Sequence, residues 1–593
     1  MLGGAQGVGN TMESIEAKIL LKNLLDRVVV LEDGSKELSG KLTESELEAL
    51  NFALDLVVSS KRKLPAHLVD SVAQKLKGKP VKEEPLDPKI HQVKETKVQV
   101  EDENKDAVFE LETSVLDLEP PSEDIRLCID FGTAMSKVTM VDNSSGYEDI
   151  TVLRLGIPGE QQEINETMLV SSVYIDNEGL LWFGQKAVTI SESESQSGNR
   201  QRLDNIKRWL SEEGFDEKVN SSFNPTEIDI TYGNMIQAYL MFLTWVVAHS
   251  LEGEGHPRNI LRRFAMPIFN GEKHRDTKYK LQEMLGDAQI LADSFYRTLR
   301  DGIPIETFIS ALHQLHKIKT DYKFIAEDIT EPLGVAGSLL SWEKKVNSLV
   351  MVVDIGAGTS DFSLFRIAFN PDSGVLGSSE VSGSARGITE AGNHLDTMLK
   401  SCVLTKAGIT RDNPLYMNIV GVLNLTIRNY KEALFNDGFI SVSLFNEEIV
   451  EIDKDEFLSL EPVQKFNDDL KNTLLEILEE IDDSWIKGAP AWSGMPTLAI
   501  ALTGGGAELP MAKSLAVGET SIGGNKLKIV LSQSFPQWLE EEGYEDLEED
   551  YTRIAVSLGG ARKLVLPHGD SAAITAGDIK EKAVLGGFYQ KGS

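Results

Sequence analysis

The stretch Val350–Ile367, VMVVDIGAGTSDFSLFRI, sets two aspartates, two glycines and a threonine between two apolar runs. An apolar run that ends in Asp354, turns through Gly356 and Gly358 and resumes after Asp361 predicts a buried strand, a glycine turn and a returning strand. Gly356 and Gly358 free the backbone to wrap a phosphate, and Thr359 adds a hydroxyl. A carboxylate at the strand end suits orientation of metal-bound water, since Mg²⁺ keeps several waters and uses one or two carboxylates. Asp361, opening the second strand, is placed to align an attacking water. A plain glycine hairpin does not require acid at both ends.

The same device occurs earlier. In LCIDFGTAMSKVTMVD, Leu127–Asp142, a strand ends in Asp130, turns through Gly132, Thr133 and Ala134, and returns. Taken alone, an ordinary hairpin explains this segment equally well. A third glycine turn, in TLAIALTGGGAELPMAKSLA, carries Gly504, Gly505 and Gly506 between a strand and a helix opened by Pro510. Neither a dinucleotide fingerprint nor a P-loop occurs in the chain.

Around these turns, strand-like and helix-like segments alternate, which predicts a large α/β fold. The helices are read in YGNMIQAYLMFLTWVVAHSL, EKHRDTKYKLQEML, AGNHLDTMLKSCVL and PVQKFNDDLKNTLLEILEEI. Upstream, EAKILLKNLLDRVVVL and TESELEALNFALDLVVSSKRK read as amphipathic helices, with Thr43 and Glu46 as a capping box. Residues 80–124 read as an acidic, proline-bounded linker in which AVFELETSVLDL is able to dock on a neighbouring surface. The expected organisation is a helical N-terminal extension over 1–79, this linker over 80–124, two halves over 125–348 and 349–567, and a tail over 568–593.

The formal charge of −34 in 593 residues argues against general affinity for nucleic acid or anionic membrane. The longest apolar run, Tyr239–Ala248, is far short of the ~20 residues of a membrane helix. The N-terminus lacks the layout of a signal peptide, and Cys128 and Cys402 form no metal or disulfide pattern, so a cytoplasmic location is expected.

The three turns in this order resemble the actin-like ATPase superfamily, most closely the nucleotide-binding domain of DnaK-type seventy-kilodalton heat-shock chaperones, over roughly Ile125 to Pro567. Further motifs carry the likeness. DNIKRWL is similar to the segment holding the family's catalytic lysine, which places Lys207 there. RRFAMPIF is similar to its strand ending in proline, here Pro267. AEDITEPLGVAG resembles the connection where Glu331 and Pro332 link nucleotide state to lobe movement. AGNHLDTML and NLTIRNYKEALF match the helices beside the nucleotide, with Gly392, Asp396 and Lys431 retained.

The resemblance implies two ribonuclease-H-like lobes around a cleft, with the last helix returning toward the first lobe. It implies ATP or ADP with Mg²⁺ between the hairpins. Catalytic roles then fall to Lys207, Glu331, Asp354, Thr359 and Asp361. Nucleotide contacts fall to Gly132, Thr133, Ala134, Gly356, Ala357, Gly358, Gly392, Lys431 and Gly504 to Gly506, and metal contacts to Asp130 and Asp354. The expected activity is chaperone-like ATP hydrolysis, with lobe opening and closing read by a protein partner or client.

Two departures stand out: Glu432 and Glu508 occupy positions where the chaperones carry adenine-facing arginines, removing cation stacking on the base. The stretch from about Leu285 to Asp321 reads as added helices, and no length remains after Pro567 for the family's substrate-binding domain. A filament-forming actin-like ATPase, a small-molecule kinase on the same core and a nucleotide sensor with little turnover are the alternatives.

Overall fold

The computed structural model describes residues 28–30 and 36–38 and most of 109–566. The chain divides into two units, Met1–Glu103 and Asn104–Ser593. In the first, Val28–Val30 pairs antiparallel with Lys36–Leu38. This corrects the helical reading at Val28–Val30 and Lys36–Leu38: three consecutive β-branched residues favour a strand over continued helix. The remaining N-terminal helices, the linker up to residue 108 and the tail 568–593 lie outside the described residues.

The second unit is mixed α/β and its two large sheets are built alike. In one, β1 (Ile125–Asp130) and β2 (Met135–Asp142) form a hairpin, β3 (Asp149–Val152) continues it, and β4 (Leu261–Met266) and β5 (Ile325–Thr330) add in parallel on the other side of β1, in the order β5-β4-β1-β2-β3. In the other, β6 (Val346–Ile355) and β7 (Ser360–Asn370) form the hairpin. Strands β8 (Met495–Thr503) and β10 (Asn525–Leu531) add in parallel on the far side of β6, and β9 (Gly518–Ile522) closes the edge beyond β10. The internal repeat read from the two Asp-Gly turns is thus a repeat of strand order.

Helices cover the outer faces. In the first half these are α1 (Tyr232–Glu254), α2 (Gly271–Ser294) and α3 (Ile305–Leu315). Thr231 caps α1 in a reciprocal bond pair with Asn234, and buried residues run almost the whole length of that helix, as an all-round apolar sequence demands. Helix α2 extends to Ser294, and α3 fills the segment read as added helices. Phe109 docks there, its ring stacked on Phe295 at 4.6 Å and its carbonyl accepting from Gln314.

Between the two sheets lie α4 (Glu331–Leu339) and, near the end of the chain, a helix at Tyr551–Ala561; together they join Cys128, Ile329, Val350, Val352 and Phe365 in one buried cluster. The two helices cross without side chains at the contact. A Cβ on Gly559 would lie 2.5 Å from Ser338 N and closer still to Gly334 O. The second half adds α5 (Gly392–Lys406), α6 (Tyr416–Asp437) and the short α7 (Pro510–Leu515), with the crossing helix as α8. Among the described residues no helix is long and apolar enough to cross a membrane. Cys128 and Cys402 are free thiols, the former buried.

Candidate functional site

Strand register builds the site. In β1–β2, Asp130 stands opposite Lys137; in β6–β7, Asp354 stands opposite Asp361. The tips of the two hairpins face one another, since a Cβ on Gly358 would lie 3.0 Å from Thr133 Oγ1. Asp354 also neighbours Thr503 across the parallel β6–β8 pairing, at the step where the chain enters Gly504.

Hydroxyls underlie the first turn. Ser171 Oγ donates to the Gly132 carbonyl at 2.8 Å and shares a buried network with Tyr239 and Ser136, while Ser171 N donates to the Ala134 carbonyl. Helix α5 holds the second turn: Gly392 N donates to Gly356 O at 3.1 Å and Asn393 N to Ala357 O at 2.8 Å.

Lys207 sits on a five-residue 3-10 turn, Ile206–Leu210, entered through Asn205 in the left-handed region at φ 59°. Its Nζ lies 2.5 Å from Glu331 Oε1, and both residues are buried. Burial opposes the ammonium charge, but Glu331, Asp130 and Asp361 outweigh it and hold Lys207 above the ordinary lysine range. Asp354 is pushed well above the usual carboxylate range, first by burial and then by Glu331, Asp361 and Asp130, with Lys137 pulling back. Burial and Glu331 raise Asp361 to about 7, against the bonds it accepts from Thr359 Oγ1 (2.7 Å) and Ile268 N (3.4 Å).

Four carboxylates, Asp130, Glu331, Asp354 and Asp361, are therefore coupled to two ammonium groups, Lys137 and Lys207. The excess of negative charge in a buried place is costly unless a cation enters. Around it the hydroxyls of Thr330 and Thr503 are buried without a hydrogen-bond partner. Gly387 and Gly504 leave space beside the carboxylates: a Cβ on the former would stand 3.0 Å from Asp361 Oδ1, and one on the latter closer than that to Asp354 Oδ1. Among the described residues no three His, Cys, Asp or Glu side chains stand close enough to hold a metal ion directly. A hydrated ion oriented through its waters needs no such group.

Several residues expected at the nucleotide have work within the protein. Lys431 pairs with Asp396 at 2.8 Å and donates to the Gly392 carbonyl, bracing the start of α5. Gly504 N donates to Thr552 O and Gly506 N to Ile355 O, so these glycines serve close packing more than anion binding. Glu432 is exposed, and Glu508 is exposed and paired with Lys513. A cavity of about 50 Å³ lined by Leu339, Glu508, Leu531 and Tyr551 is far smaller than the ~300 Å³ of an ordinary ligand pocket. Lys137 is the site residue that the sequence motifs leave out; carrying the repeat seven positions past each leading aspartate finds it opposite Asp130, as Asp361 is opposite Asp354.

No known family's profile matches the chain, and no curated protein matches it in sequence.

Proposed function

We propose that this protein binds and hydrolyses ATP between two actin-like lobes, in the manner of the nucleotide-binding domain of DnaK-type chaperones, and that a protein partner reads its opening and closing. The observation that carries the reading is the meeting of two like hairpins, Thr133 against Gly358, with carboxylates from both gathered around Lys207.

Magnesium, when bound, neutralises charge on the terminal phosphates. Asp130 and Asp354 would orient its waters, and backbone groups of both turns would lie nearest the phosphate oxygens. Lys207, kept charged by its surroundings, offsets the charge that develops on the transferred group. Asp361, raised to about 7 and fixed by Thr359 and Ile268 N, accepts a hydrogen bond from the attacking water and is able to take its proton near neutral pH. Glu331 opens α4, which packs on α8 between the sheets, so a change at the Lys207–Glu331 pair acts on the element joining both halves.

Calorimetry with ATP and ADP, with and without Mg²⁺, tests the reading, paired with phosphate-release assays on Asp354→Asn. Magnesium-dependent binding is expected in the wild type, and at least about 100-fold slower hydrolysis in a folded variant. Unchanged hydrolysis sinks the assignment.

A further inference from the structure

The first hairpin turn rests on three buried hydroxyls. Ser171 Oγ donates to the Gly132 carbonyl at 2.8 Å and lies 3.1 Å from the Tyr239 hydroxyl and 3.2 Å from Ser136 Oγ, while the Tyr239 hydroxyl donates to Ser136 Oγ at 3.0 Å. A hydroxyl has one proton to give. With the Ser171 proton on its shortest contact, the Gly132 carbonyl, Tyr239 and Ser136 are left to donate toward Ser171, and the network runs from helix α1 into the turn. Burial holds Tyr239 above its ordinary range, so it remains a donor.

We infer that Ser171 is a positioning residue for phosphate binding: its hydroxyl, aligned by Tyr239 and Ser136, draws the Gly132 carbonyl into the core and thereby turns the Thr133 amide toward the terminal phosphates of a nucleotide. The inference rests on the nucleotide reading above and deepens it.

In a trans peptide the carbonyl and the following N–H point in opposite directions. The Gly132 carbonyl faces the buried hydroxyls, so the Thr133 N–H faces away from them, on the side where Thr133 meets Gly358 of the opposite turn. Among the described residues that N–H has no acceptor. The next carbonyl is held likewise, since Ser171 N donates to Ala134 O at 2.9 Å. Glycine at 132 permits the tight turn, where a Cβ would collide with the Met135 carbonyl, but glycine alone allows either orientation of the peptide plane. The wrong orientation would point a carbonyl oxygen at the phosphate. The hydroxyl chain selects the other one.

Tyr239 has a second contact, its ring stacked on Phe131 at 5.6 Å, with Lys207 Nζ 5.9 Å above the Phe131 ring. Removing the hydroxyl alone leaves this packing beneath Lys207 in place. A core hydroxyl cluster that only stabilises the fold is the competing account, and it predicts lower stability with no effect of phosphate number.

The test is calorimetry of AMP, ADP and ATP with Mg²⁺ on wild type, Ser171→Ala, Tyr239→Phe and the double variant, with folding checked by circular dichroism. Expected are an affinity loss of about tenfold for ADP and ATP in Ser171→Ala, AMP binding within about twofold, and a loss of about threefold, again confined to ADP and ATP, in Tyr239→Phe. Because Tyr239 acts through Ser171, the double variant should bind no more weakly than Ser171→Ala. ADP affinity within twofold of wild type in Ser171→Ala overturns the inference, as does an equal loss for all three nucleotides or an additive loss in the double variant. If Ser171→Ala does not fold, Tyr239→Phe decides: a loss confined to ADP and ATP supports the inference, and wild-type affinity overturns it. Wild-type protein that binds neither ADP nor ATP overturns the underlying reading, a failure visible before any variant is measured.

Discussion

Lys207 and Glu331 are 124 positions apart in the chain and 2.5 Å apart in space, both buried, one on a 3-10 turn of the first half and the other at the head of the helix between the sheets. Removing either partner of an isolated buried pair costs about 3–5 kcal/mol. This pair is not isolated. Lys207 also feels Asp130 and Asp361, and Glu331 raises both Asp354 and Asp361.

The two single variants are therefore expected to differ. Lys207→Met leaves four carboxylates facing Lys137 alone and should destabilise by about 3–5 kcal/mol. Glu331→Gln keeps a hydrogen-bond acceptor for Lys207, leaves it two other carboxylates, and relieves the repulsion on Asp354 and Asp361; it should cost less than half as much. Urea unfolding at pH 7.5 measures both. Equal losses would mean that the ion pair acts alone and the surrounding acids are unimportant.

The raised carboxyl of Asp361 gives a pH dependence of definite sign. Its folded-state value of about 7 exceeds the ~3.9 of an unfolded aspartate, so between those values the folded chain holds a proton that the unfolded chain has released. Stability falls as pH rises through that window and levels off above it, by at most about 4 kcal/mol for this group. Asp354, raised by burial and the same neighbours, acts in the same direction. Asp287, raised to about 6 by burial beside Tyr322, adds to the slope at its lower end. Asp328 does not interfere: His274 and Lys278 outweigh its burial and hold it low, so its contribution is lost only below about pH 4. His394, held low by burial, acts in the opposite direction, so the readout is the difference: urea midpoints measured from pH 5 to 8 without divalent cation should have a more negative slope in the wild type than in Asp361→Asn. An unchanged slope in the variant contradicts the assignment.

How far the sequence foretells these features depends on what kind of signal each one leaves. Both hairpins are legible because an apolar run, an Asp-Gly turn and a second apolar run are local and appear twice. The long outer helices are legible from their period. Strand β5, IAEDIT, leaves no strand signal, because two of its middle residues are only partly buried and one is exposed, so it shows no apolar run. The antiparallel pair Phe439–Ser443 and Ile449–Asp453 alternates cleanly, with Ile440, Val442, Val450 and Ile452 buried, and its period-two signal is there to be found. Lys207 can be placed only by resemblance, since a buried lysine on a five-residue turn has no periodicity of its own. Lys137 lies in a strand whose other residues explain themselves as core, so its charge becomes informative only when the two hairpins are aligned past their turns.

Gly504 offers a test of how tightly the site is packed, independent of any ligand. It takes φ +79°, and a Cβ there would lie 2.5 Å from Ile355 O and closer still to Asp354 Oδ1. Gly505 next to it has neither a positive φ nor any atom within 4 Å of its would-be Cβ. Alanine at 504 combines left-handed strain of about 1–2 kcal/mol with overpacking of about 1–3 kcal/mol. The clash falls on an acidic side chain and a strand carbonyl, neither of which is a flexible end that turns away freely. Gly504→Ala is thus expected to lose about 2–5 kcal/mol, with Asp354 displaced, while Gly505→Ala should stay within about 0.5 kcal/mol of wild type. Denaturant unfolding of the two variants side by side reads the difference. If both are neutral, Asp354 is free to move away from the glycine turn, and the end of β8 does not constrain it.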